Sequence, residues 1–265
     1  MSRTVLAVAA HPDDIELMMA GTLALLGRAG YALHYLVVAN GSCGTAALGR
    51  EAIIAVRAEE SRQAAAVLGA TLHESLVDDA QIYYTPALVA RVAAVVRRVR
   101  PEILLVPSPH DYMEDHINTS RLAVSAAFYR GMRNFVTDPP LVPVTGEVAL
   151  YHALPWGLKD PLGVAVRPHL VVDIEDVLEV KRQALACHRS QKDWLDASQG
   201  LGSYLRAMVE MSEAVGRLSD RFRVAEGWQR HNPLGFSGDA FRPLEDALKK
   251  GVRNLFSENE ETPAN

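Results

Sequence analysis

From Thr4 to Arg130, short and almost wholly apolar runs alternate with helical runs, and this alternation most narrows how the chain can fold. Residues 4–10 read as a strand buried on both faces, because apolar residues are nearly continuous there. A helix over 15–29 follows and stops at Gly30. His34 to Asn40 is the second strand, Gly41 to Gly49 a loop of small residues, and 51–68 a helix closed by Gly69. Thr71 to Val77 is the third strand, ending at Asp78-Asp79. A helix over 85–99 ends before Pro101 and leads into the strand Ile103–Pro107, the polar loop Ser108–His116 and a helix over 117–130. The pattern predicts an α/β fold: a doubly wound, mostly parallel, Rossmann-like sheet with helices on both faces.

Beyond residue 131 the pattern loosens. Val148–His152 and Leu170–Ile174 read as further strands, and 175–190 and 203–218 as helices. With no internal repeat or low-complexity linker, residues 1–255 are expected to form one domain, and the acidic, polar segment 256–265 a disordered tail. The net charge of −5 disfavours a nucleic-acid partner and docking on anionic membranes, and suits a small, roughly neutral substrate. Cys43 and Cys187 make neither a disulfide framework nor a cysteine zinc site. No apolar run has membrane-span length and no signal peptide is evident, so a cytoplasmic setting is expected. Homo-oligomerisation is left open.

The first strand ends in His11-Pro12-Asp13-Asp14. In open α/β sheets ligands bind at the carboxyl ends of the strands. His11, Asn40, Asp78, Asp79 and the loop carrying His116 therefore share one rim. His11 and Asp14, joined by His116, make a set of two histidines and one carboxylate, which is a catalytic zinc arrangement. The plainer alternative is a polar turn with an aspartate helix cap. Asp13 stands beside the set as a general base, or else as an outer acid or extra ligand. Asp115 suits the orientation of a ligand imidazole, the alternative being an ordinary loop acid.

The stretch Ala10-His11-Pro12-Asp13-Asp14-Ile15-Glu16-Leu17, with Gly21-Thr22-Leu23-Ala24 behind it, resembles the PIG-L/LmbE family of zinc-dependent N-deacetylases. So do Asn40-Gly41, Arg57-Ala58-Glu59-Glu60, Asp115-His116, His188-Arg189-Ser190-Gln191 with Lys181 before it, and Ala225-Glu226-Gly227. The resemblance runs over residues 4–230. It implies His11, Asp14 and His116 as ligands of Zn2+, other divalent metals being open. It also implies Asp13 as the base, and removal of an N-acetyl or related acyl group from an N-acetylglucosamine-type amino sugar or glycoside.

One position departs from the family pattern. Where the family often has His-Pro-Asp-His, this chain has Met113-Glu114-Asp115-His116. The missing first histidine is the one credited with stabilising the oxyanion, and a methionine donates no hydrogen bond. His110, Tyr112, His152 and His231 are the candidates for its role, each with a surface residue as the alternative. His110 is nearest and joins Asp13 as a catalytic candidate; Tyr112, Met113 and His231 are candidates for lining the substrate site. Arg57 could reach a sugar hydroxyl or be a surface helix arginine, and Asp79 could contact the sugar or only close a turn. His188 and Gln191 line a groove or hold the chain. His34, His73 and His169 read as packing or surface residues. The competing functions are an amidase on a larger N-acyl conjugate and a non-catalytic sugar- or metal-binding protein. A nicotinamide enzyme is set aside because the first strand lacks the glycine-rich turn.

Overall fold

The structure, a computed structural model, describes residues 3–191 and 204–255. The expected tail over 256–265 lies outside the described residues. Among the described residues, eight strands form one sheet: β1 (Thr4–Ala9), β2 (Ala32–Val37), β3 (Thr71–His73), β4 (Ile103–Val106), β5 (Ala149–Ala153), β6 (Leu170–Asp173), β7 (Ala225–Arg230) and β8 (Val252–Asn254). Their order is β3-β2-β1-β4-β5-β7-β6-β8. The first five are parallel, as the alternation predicts. The remaining three add an antiparallel extension. Strand β7 covers the Ala225-Glu226-Gly227 motif and was not foreseen as a strand, because the run AEGWQR carries only alternate apolar residues.

Strand β1 is flanked by β2 and β4, with Val5 paired to both Leu33 and Ile103. Its side chains alternate between two cores. Val5, Ala7 and Ala9 face helices α1 (Asp14–Met18), α2 (Ala20–Arg28) and α3 (Arg50–Leu68), through Ile15, Leu23 and Leu68. Leu6, Val8 and Ala10 face α4 (Pro86–Val99) and α5 (Glu114–Tyr129), through Val92, Val96 and Leu122. A strand buried on both faces is apolar throughout for this reason, and each fully buried Leu or Val contributes roughly 1.5–3 kcal/mol. Helices α6 (Leu178–Leu185), α7 (Tyr204–Arg217) and α8 (Pro243–Leu248) complete the layers.

The helix expected over 15–29 is two helices, with a break at Met19 (φ −133°). The second start exposes backbone donors, and Glu226 on β7 takes them: its carboxylate accepts from Gly21 N at 2.8 Å and Thr22 N at 2.7 Å. Lys181 on α6 pairs with the same carboxylate at 2.6 Å in the buried interior. A Cβ at Gly21 would lie 2.6 Å from Ile174, so only glycine fits against this carboxylate. The late Lys and Glu motif residues are thus a bolt between the antiparallel extension and α2. The third strand is shorter than its expected range, with only an isolated Ala39–Val77 bridge beyond His73.

Candidate metal centre

Strands β1 and β4 are neighbours whose crossovers leave in opposite directions, to β2 and to β5. A crevice opens at such a reversal, and the residues after both strands line it. The turn after β1 places Asp13 at φ 109°, a backbone conformation costly for a residue other than glycine. His11 donates its backbone N–H to Asp14 Oδ2 at 2.8 Å, which fixes the turn. After β4, helix α5 begins at Glu114, so His116 lies in its first turn and not in the expected loop. Helical geometry aims His116 back toward the end of β1.

One ligand atom each from His11, Asp14 and His116 falls within 4.8 Å of the others. Asp14 Oδ2 lies 3.4 Å from His116 Nε2 and 3.7 Å from His11 Nδ1. The outer nitrogens of both rings are held by carboxylates. Asp115 Oδ2 lies 3.0 Å from His11 Nε2 and also accepts from Ala80 N at 2.8 Å. Asp111 Oδ1 lies 3.0 Å from His116 Nδ1. Each imidazole thereby turns its remaining nitrogen to the centre. Among the described residues, His116 Nε2 is buried with no hydrogen-bond partner. A buried ring nitrogen left without a hydrogen bond is costly, and a divalent cation fits this donor set of two imidazoles and a carboxylate.

The charges agree. Burial opposes a charged His11, but Asp115 and Asp14 outweigh it and push its pKa up to about 10. Burial works against Asp14 as well, yet His116 and His11 hold it below the ordinary carboxylate range. Asp13 goes the other way: burial raises its pKa, against the pull of Arg57. Tyr204 on α7 donates to Asp13 Oδ2 at 2.5 Å, and Arg57 Nη2 lies 3.7 Å from the same oxygen.

A cavity of about 440 Å³ opens over the group. Asp13, Asp79, Tyr112 and Met113 line it, and Leu17, Met18, Leu154 and Trp156 form an apolar wall. Among the described residues the lining contains no lysine or arginine. Several sequence candidates sit elsewhere. Arg57 is buried and absent from the lining; it donates to the Pro12 carbonyl and to Gln191 Oε1, next to Asp13, and so supports the site. A Cβ at Gly44 would meet the Arg57 guanidinium at 2.2 Å, which explains a glycine there. His110 is exposed and outside the lining. His231 also lies outside it, 2.9 Å from the buried His152, whose Nδ1 faces Pro107 O and Ser120. Asp79 does line the cavity, but both its oxygens accept backbone donors, from Gly41 and Cys43, and so pin the loop after β2. His188 is fully buried, 3.4 Å from Glu16 Oε1, while Gln191 reaches the cavity.

Sequence reasoning gave no role to Asp111 and missed Tyr204. An acid five residues before a ligand histidine is a usable signal for Asp111. Tyr204 carries no local signal, since a distant helix brings it in.

Fold and site together define a Rossmann-like α/β protein with a His-Asp-His group at its switch point that could hold a metal ion. Residues 6–127 match the PIG-L family, described as GlcNAc-PI de-N-acetylase. The diacetylchitobiose deacetylase of Thermococcus kodakarensis is 30% identical over 203 residues, 71% of this chain and 70% of that protein. The N,N'-diacetylchitobiose deacetylase of Pyrococcus horikoshii superposes with a TM-score of 0.73 at 23% identity, covering 92% of this chain and 89% of that one. The 4-carboxy-2-hydroxymuconate hydratase of Pseudomonas putida superposes at 0.68 with 28% identity, covering 87% and 97%. The chain belongs to the PIG-L/LmbE family. No helix among the described residues is long and apolar enough to cross a membrane.

Proposed function

We propose that the protein is a metal-dependent deacetylase that hydrolyses the N-acetyl group of an N-acetylglucosamine-type glycoside to acetate and a free amine. The carrying observation is His116 Nε2, buried without a hydrogen-bond partner among the described residues and grouped with Asp14 and His11. His11, Asp14 and His116 would hold the ion, and two histidines with a carboxylate favour zinc among the divalent metals. Such an ion, when bound, polarises the amide carbonyl and acidifies water.

The chain's own groups supply the rest. Asp13 takes the proton from the attacking water as the new C–O bond forms. It then gives that proton to the nitrogen as the C–N bond breaks. Burial raises its pKa toward the range useful for both transfers, while Tyr204 and Arg57 keep the carboxylate in place. Asp115 and Asp111 hold the two imidazoles in the orientation that leaves the inner nitrogens free.

The lining also bears on the substrate. A neutral glycoside enters an acidic, partly apolar cavity, and the product amine leaves as a cation that suits those carboxylates. A second reading, hydration of an unsaturated polycarboxylate, draws on the likeness to the hydratase and on Met113 at the family's oxyanion position. The lack of Lys and Arg among the described lining residues weighs against it, since several substrate carboxylates would lack cationic partners.

The two readings separate on a substrate panel of N-acetylated mono- and disaccharides alongside unsaturated di- and tricarboxylates. Release of acetate with a matching primary amine is expected. Loss of alkene absorbance without acetate would replace the first reading with the second.

A further inference from the structure

His152 is a buried histidine outside the cavity lining, and both of its ring nitrogens are spent on the frame around the site. It sits on β5, opposite Val106 of β4 and Gln229 of β7. Strand alternation puts it on the same face as Leu150, the face that α5 covers. There its Nδ1 lies 3.0 Å from the Pro107 carbonyl oxygen and 3.2 Å from Ser120 Oγ. A carbonyl can only accept, so Nδ1 carries the hydrogen and donates. Nε2 of the neutral ring is then an acceptor, and His231 Nδ1, 2.9 Å away, donates to it. Phe236 packs edge-on against the His231 ring, with centroids 5.2 Å apart and planes at 89°. The His152 ring is therefore fixed in one orientation and one tautomer.

Pro107 follows β4 and Ser120 lies on α5, so this one imidazole holds both ends of the segment 107–120 to β5. The segment carries three groups of the metal centre: Asp111 on His116 Nδ1, Asp115 on His11 Nε2, and His116 itself. Ser120 is four residues after His116 on the same helix, so the two share a face one turn apart. The other half of the centre, His11 and Asp14, follows β1, and only β4 lies between β1 and β5 in the sheet. Where the segment is held on the sheet thus sets how the two halves meet. A metal site needs its donors held to within about 0.5 Å.

Resting on the reading of His11, Asp14 and His116 as metal ligands, we propose that His152 is a positioning residue for that centre: by clamping Pro107 and Ser120 to β5, it sets the approach of His116 and its carboxylate partners to His11 and Asp14. It touches neither the ion nor the substrate. Its loss leaves all three donors in the chain but frees the segment that carries His116. The cost falls on metal affinity and on coordination geometry.

The test measures Zn2+ affinity by competition with a chromophoric chelator, and the visible spectrum of the Co2+-loaded protein. Wild type is compared with His152→Leu, His152→Asn, Ser120→Ala and His73→Leu. Asparagine keeps an amide donor at the place of Nδ1, whereas leucine keeps only bulk. His73→Leu controls for loss of a histidine pair as such, since His73 Nε2 meets His34 Nδ1 at 3.1 Å on the edge strand β3. His152→Leu is expected to weaken Zn2+ binding about tenfold, the low end of what losing a ligand's own partner costs, and to shift the Co2+ bands. His152→Asn is expected to recover most of that affinity. Ser120→Ala is expected to lose about threefold, as for one neutral hydrogen bond, and His73→Leu to match wild type in both readouts.

A folded His152→Leu that binds Zn2+ within about twofold of wild type with unchanged Co2+ bands overturns the proposal. So does a folded His152→Asn no better than the leucine variant, or an equal loss in His73→Leu. If His152→Leu does not fold, Ser120→Ala decides, and wild-type affinity and spectrum in that variant overturn the clamp. A wild type that binds neither ion overturns the metal-centre reading itself, and the proposal with it.

Discussion

Tyr204 Oη donates to Asp13 Oδ2 at 2.5 Å across 191 residues of sequence, joining the proposed base to a helix that no motif marks. A hydrogen bond to a buried carboxylate contributes about 1.5–3 kcal/mol. Tyr204→Phe should therefore lower unfolding stability by roughly that amount in urea titrations. It should also lower kcat about tenfold, because Asp13 loses the hydroxyl that fixes its orientation while the Arg57 contact at 3.7 Å remains. Unchanged stability and kcat would show that the tyrosine does not hold the base.

Metal binding should release protons. Without an ion His11 carries its proton to about pH 10, held by Asp115 and Asp14, and His116 is also raised above its ordinary value. A cation must displace them, so affinity should climb with pH through neutrality. Calorimetry in two buffers of different ionisation enthalpy should report at least one proton released per ion at pH 7. Asp115→Asn, which weakens the hold on the His11 ring, should cost 10–100-fold in affinity.

Stability should fall in mild acid for a separate reason. Burial lowers His152 to a pKa of about 4, so between pH 6.5 and 4 the unfolded chain binds a proton that the folded chain refuses. The contribution of this group is complete above pH 6.5, is lost as pH falls through that window, and does not change further below it. The loss amounts to about 3 kcal/mol. Denaturant midpoints measured from pH 8 to 4 should show the decline, and His152→Gln should flatten it.

The buried Lys181–Glu226 pair predicts a stability effect away from the metal ligands. Lys181→Met leaves a buried carboxylate with only the Gly21 and Thr22 amides and should cost about 3–5 kcal/mol. Folded Lys181→Met protein should still bind metal with wild-type stoichiometry, measured by elemental analysis after dialysis.

The parallel half of the fold was legible because strands buried on both faces leave unbroken apolar runs such as Val5–Ala10. The antiparallel extension was not, since β7 mixes Glu226 and Gln229 with Trp228, and its pairing with β6 and β5 joins residues far apart in sequence. His11, Asp14 and His116 were legible from residue type and from their place at strand ends, and the structure brings them together. Arg57 was read as reaching a sugar hydroxyl or lying on the helix surface, and it is instead buried. A helix residue followed by glycine-rich loop contacts can point inward as readily as outward, and here Gly41 and Gly44 make room for it next to Asp13. The outer carboxylates show the same limit: Asp115 adjoins a ligand in sequence and was found, while Asp111 reaches His116 only because α5 begins at Glu114.

The central claim is that the His11–Asp14–His116 group and Asp13 together cleave an N-acetyl amide. Acetate release from an N-acetylglucosamine disaccharide, measured for metal-loaded wild type and Asp13→Asn at equal metal content, tests it most directly. Turnover is expected in wild type, with a loss of about 10²–10⁴-fold in Asp13→Asn and metal binding retained. Equal rates in the two proteins would contradict it.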